Sequence, residues 1–135
     1  MTRPFDSIEI EFIPHDKQRY PTPGDWRVVN GMGQKKVLLI SVSQLYDWRH
    51  EALMAIHELA EVLLCQNNGV SQELVDRFDM EFEKTRHPDN HDEPGDDPSA
   101  PYSKEHSVAT GIERIMAAEL GISWKNYERE VEALP

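Results

Sequence analysis

The chain holds one cysteine, Cys65, inside an apolar run, and no Cys-x-x-Cys pair. An internal disulfide is therefore excluded, and a reducing compartment is expected. No apolar run approaches the ~20 residues of a membrane span. The opening MTRPFDSIEIEF has no apolar core of the kind a secretory signal needs, so a cytoplasmic location is expected, that of a bacterial host if the chain is phage-borne. There is no Gly-rich phosphate loop, no internal repeat and no nucleophile motif. Basic residues are scarce too: 14 Lys and Arg stand against 25 Asp and Glu, for a formal net charge of -11. A surface of that sign repels phosphate backbones and anionic membranes, and no local basic patch offsets it, so neither is expected as a partner.

What is present suits one folded unit. A length of 135 residues fits a single core, and 39% hydrophobic with 29% charged residues is a globular balance rather than a disordered one. The segment SIEIEFI (7–13) alternates Ile8, Ile10 and Phe12 with Ser7, Glu9 and Glu11, the period of a strand with one covered face. A loop rich in proline follows. WRVVN (26–30) and KKVLLISV (35–42) read as two further strands joined through NGMGQ as a hairpin. The second of these is apolar on both faces over Val37–Ile40, which predicts a central place in the sheet.

The period then switches to 3.6. Residues 43–69 form the strongest helical pattern, with Ser43 or Asp47 as N-cap and Asn-Asn-Gly as its stop. A second helix is predicted over 71–86, with Leu74, Val75, Phe78 and Phe82 inward and Asp76, Asp79 and Glu83 solvated. Residues 87–102, HPDNHDEPGDDPSAPY, carry four prolines and five acids and read as an irregular, solvated loop, from which Tyr102 or an acid can close over a site. Helices are predicted again over 103–121, capped by Ser103, and 123–134. The expected fold is α+β: a single domain over 1–135, with a three-stranded antiparallel sheet in 1–42, two helices in 43–86, the acidic loop in 87–102 and two helices in 103–134.

The chemistry centres on AIHELAE (55–61), a His-Glu-x-x-Glu sequence. At about 100° per residue, His57 and Glu61 fall about 40° apart on or beside the apolar stripe, one turn from each other, so both side chains reach one ion. Glu58 sits about 100° away, an offset that suits a general base beside a metal rather than a ligand. On the helix over 103–121, His106, Ala109, Glu113, Ala117 and Leu120 share one stripe of about 60° either side of His106. Two helices thus each place a His and a Glu where apolar residues belong. A buried carboxylate needs compensation, and a divalent cation supplies it. His57, Glu61 and His106 form a two-His, one-carboxylate set of the type that holds catalytic zinc, with Glu113 as a fourth ligand or a group orienting a His ring. His50 reads as a satisfied helix-start histidine.

HELAE resembles the active helix of zincin metallopeptidases. By position, the resemblance implies His57 as a ligand, Glu58 as the general base, Glu61 in place of the usual second His, and His106 as the distant third ligand, in a reduced zincin-like domain. The pattern from YPTPGDW through HELAE to EPGDDPSAPYSKEH is also similar to small uncharacterised phage and prophage proteins. A third resemblance is to HD-domain phosphohydrolases, with His57-Glu58 in place of His-Asp.

The expectation is a zinc-dependent, or other divalent-metal, hydrolase acting on a peptide or amide. The alternative is a non-enzymatic, acidic, phage-type accessory protein whose His/Glu cluster is structural. An HD-like phosphohydrolase ranks third.

Overall fold

The computed structural model of the chain describes residues 2–135. Three strands, β1 (Ser7–Ile13), β2 (Gly24–Asn30) and β3 (Lys36–Ser43), are followed by four helices, α1 (Trp48–Asn68), α2 (Gln72–Lys84), α3 (Ser103–Glu119) and α4 (Trp124–Glu132). The α+β class expected from the sequence holds.

The sheet differs from the expectation in one respect. Its order is β1-β3-β2, with β2 antiparallel to β3 but β1 parallel to it. The expected hairpin between β2 and β3 is present, with a 3-10 turn over Met32–Gln34 and Gly33 at φ 67°. The connection 14–23 takes the chain from β1 past the end of β3 to the opposite edge. It is pinned on the way: Gln18 Nε2 donates to the Ser41 carbonyl at 3.1 Å, and a ring nitrogen of His15 lies 2.8 Å from Ser43 Oγ. An alternating strand pattern carries no direction, so parallel and antiparallel pairing of β1 looked alike in the sequence.

β3 is central, as its two-sided apolar run predicted, and Leu38, Ile40 and Val42 are fully buried. Ile8, Ile10 and Phe12 lie in register with those three on the same face, yet remain 44–46% exposed. The helical layer covers β3 and leaves β1, an edge strand, half uncovered.

α1 is the central helix, packed on β2 and β3 on one side and on α3 on the other. Asp47 caps it, accepting from the Arg49 amide, and Ser43 ends β3 instead. Gly69, at φ 75°, stops it in the left-handed conformation that glycine adopts without strain. Ser71 caps α2. Tyr102, not Ser103, is the N-cap residue of α3, and it offers no side-chain cap bond because its ring is buried in the core. Ala109 and Ala117 are both buried on α3. Their small side chains let α3 approach α1 closely, which brings the His and Glu residues between them together. Among the described residues no helix is long and apolar enough to cross a membrane.

Candidate metal centre

His57, Glu61, His106 and Glu113 are all buried at the α1–α3 seam. His57 Nε2, His106 Nδ1 and Glu61 Oε2 form a nearly equilateral triangle: 3.1 Å between the two ring nitrogens, 3.1 Å from Glu61 to His57 and 2.9 Å from Glu61 to His106. The helical phase arithmetic had placed these three groups on facing stripes; the packing places their polar atoms within one ion's reach.

The outer ring nitrogens are held separately. His57 Nδ1–H donates to Glu113 Oε1 at 2.8 Å, and His106 Nε2–H donates to Asp96 Oδ1 at 3.0 Å. Each imidazole is thus oriented by a carboxylate on one side and turns its other nitrogen toward Glu61. Of the two roles open to Glu113, its position matches ring orientation, because it meets His57 on the side away from the triangle. The second oxygen of Glu61 accepts from Trp26 Nε1 at 3.4 Å.

The loop between α2 and α3 contributes more than its composition suggested. It was expected to be solvated, but a 3-10 turn, Pro94–Asp96, lies against α3, with Pro94 and Gly95 buried. Glu93 Oε2 comes to 3.5 Å from His106 Nε2. His57, Glu93 and His106 also offer donor atoms that all lie within 4.8 Å of one another, so Glu93 is a further candidate ligand. Sequence reasoning missed Glu93 and Asp96 as individuals because loop residues have no period to place them. The available signal was Gly95 between them. A Cβ there would lie 2.4 Å from the His106 ring, so only glycine lets the loop pack on that imidazole. Gly95→Ala is expected to push the ring or the loop aside and to lower metal affinity about 10–100-fold, the usual effect of disturbing a group that orients a ligand; isothermal titration with zinc would read it.

Glu58 is buried, borders a cleft of about 250 Å³, and has no hydrogen-bond partner among the described residues. Burial, reinforced by the charge of Glu61, raises its carboxyl well above the ordinary range. It rests against the start of β2, where a Cβ on Gly24 would come within 2.7 Å of its Oε1. The same cleft is bordered by Glu61, His106 and Glu93.

Electrostatics in the cluster are strongly coupled. Burial works against charge on His57, but the bonds to Glu113 and Glu61 outweigh it and raise its pKa to about 12. For His106, burial is likewise outweighed, by Asp96 and Glu61, and its pKa rises to about 10. Glu61 is opposed by burial yet lowered to about 2 by its bonds from His106 and His57. Without a metal, then, the seam holds two imidazolium rings among carboxylates.

Two expectations about acids outside the seam need correction. Asp79 is buried, not solvated, and Tyr102 Oη–H donates to its Oδ1. Glu83 is largely buried and paired with Arg86 at 2.8 Å. α2 has two inward sides, one apolar on the core and one polar on the cleft, and a single-stripe reading assigns the second to solvent. Asp76 is partly exposed and bonds to Arg19. His50 meets Glu130 at 2.6 Å, outside the cluster.

Comparison with protein-family models, with curated proteins and with solved structures finds no match to this chain.

Proposed function

We propose that the protein binds a divalent metal ion, with zinc as the leading candidate, and hydrolyses a peptide or amide bond. One observation carries this reading: the inner nitrogens of His57 and His106 and one oxygen of Glu61 converge within 3.1 Å, while the outer nitrogens are fixed by Glu113 and Asp96. Metal-binding histidines are commonly held in this way, with the second ring N–H on a carboxylate. Donor atoms about 3 Å apart are close enough for one divalent ion to be held by His57, His106 and Glu61 together. Glu93 from the loop is a further candidate, since His57, Glu93 and His106 also offer donor atoms within 4.8 Å of one another.

A divalent ion held by these residues would supply a polarised water of lowered pKa. Glu58 would take that water's proton as the oxygen attacks the carbonyl carbon, then pass it to the leaving nitrogen as the C–N bond breaks. The resemblance of HELAE to zincin helices supports the same roles. The acids around the cleft disfavour a phosphate ester, and the three-stranded sheet does not suit the all-helical phosphohydrolase resemblance.

Protein purified without added metal is expected to carry one equivalent of zinc by elemental analysis, and the double variant His57→Ala, His106→Ala none. The variant also uncovers Glu61 and Glu113, at a cost of about 3–5 kcal/mol, so retained folding is checked by circular dichroism. Metal-free protein that takes up no zinc, and melts unchanged with EDTA, would sink the reading. It would favour instead a structural His/Glu cluster in an acidic accessory protein. A specific observation speaks for that alternative: every ring nitrogen of the pair already has a carboxylate partner.

A further inference from the structure

The cleft beside the seam extends away from the His/Glu triangle toward α2. Val75 and Tyr102 border it on that side and Trp26 reaches in from the triangle, all three being buried core residues. Asp79 lies among them. It is more than nine-tenths buried, its Oδ1 accepts from Tyr102, and its Oδ2 has no partner among the described residues. Glu58, the other unpartnered buried carboxylate, borders the same space.

The arginines near this cleft, and His106, are already engaged. Arg86 is bound to Glu83 at 2.8 Å and to the Asn90 carbonyl at 2.6 Å. Arg19 is bound to Asp25 and Asp76. His106 faces Glu61 and Asp96. Asp79 and Glu58 are left as carboxyl groups without a positive partner among the described residues, in a space with aromatic and aliphatic walls. Burial of such groups is costly unless a partner arrives. Burial accordingly pushes Asp79 up to about 7, against the bond from Tyr102.

We propose that this end of the cleft is a binding pocket for a cationic group on an aliphatic stem, an alkylammonium or alkylguanidinium such as a lysine or arginine side chain. The stem packs against Val75 and the aromatic rings of Trp26 and Tyr102, and the cation meets Asp79. Aromatic faces add to the attraction for a desolvated cation. The whole cleft, about 250 Å³, lies just under the ~300 Å³ lower end of small-molecule pockets, so its α2 side has room for one side chain or a small amine and not for a larger ligand. As a statement about substrate, this rests on the hydrolase reading: the bond to be cut would lie next to a basic residue. As a binding site it stands without the metal.

Titration calorimetry with N-acetyl-arginine amide, N-acetyl-lysine amide and the neutral N-acetyl-norleucine amide tests it, on both zinc-loaded and metal-free protein. The basic amides are expected to bind at least about 10-fold tighter than the neutral one. That preference is expected to persist in about 0.5 M salt, where general attraction to an acidic surface is screened. Asp79→Asn is expected to remove most of the preference with zinc content unchanged. Equal binding of all three amides by the unmodified protein overturns the proposal, and so does a preference that survives Asp79→Asn or vanishes in salt. A preference in metal-free protein that never takes up zinc leaves the pocket standing and removes the hydrolase reading. Zinc uptake without any preference does the reverse.

Discussion

Glu58→Gln is expected to retain one equivalent of zinc and to lose about 10²–10⁴-fold in turnover, the range general-base groups contribute. Gln keeps the size and position of the side chain against Gly24 while removing its capacity to accept a proton, and it touches none of the donor atoms of the triangle. The same change is expected to raise the melting temperature, because a neutral amide replaces a carboxylate that is buried without a partner. Opposite effects on rate and stability separate a working group from one that merely fills space. Hydrolysis of a peptide mixture, zinc content and a melting curve, all on one preparation, make the comparison. If zinc is lost along with turnover, Glu58 is not acting as the base.

Metal affinity is expected to keep rising with pH well above neutrality. In the metal-free protein His57 and His106 hold their protons to about 12 and about 10, against 6.5 for an ordinary imidazole. Zinc must displace protons from both, so log K is expected to climb by about one to two units per pH unit between roughly pH 6 and 9. An ordinary surface His site levels off above about pH 7, once its rings are neutral. The fold of the metal-free protein responds in the opposite sense. Because both folded pKa values are raised, the imidazolium–carboxylate contacts stabilise it fully below about pH 6.5, and that contribution is lost as pH rises toward about 10 and then about 12. Zinc titrations at fixed pH values, with melting curves of EDTA-treated protein alongside, test both slopes. An affinity that is flat above pH 7 would show that the imidazoles are not protonated competitors.

How far the sequence foretold this arrangement depended on whether a residue sat on a period. His57 and Glu61 on α1, and His106 and Glu113 on α3, were legible because a helix fixes direction at about 100° per residue, and two stripes that interrupt apolar faces with His and Glu must pack on something. β3 was legible as central from its two-sided apolar run. The direction of β1 was not, since Ile8, Ile10 and Phe12 alternate identically in either orientation. Asp79 was misread because its helix buries two sides. Glu93 and Asp96 were known only as acids of a loop, and what places them is tertiary: a turn around Gly95 that fits against the His106 ring.

The half-covered edge strand has a consequence for handling the protein. β1 presents a free row of backbone donors and acceptors, and Ile8, Ile10 and Phe12 leave an oily flank beside it. What discourages two copies from zipping together along this edge is mutual repulsion, from Glu9 and Glu11 locally and from a net charge of -11 globally. The net charge falls toward zero as pH approaches the isoelectric point near 4.9. Acidic buffers remove that long-range guard while the sticky rail stays in place, so copies of the chain are expected to associate there.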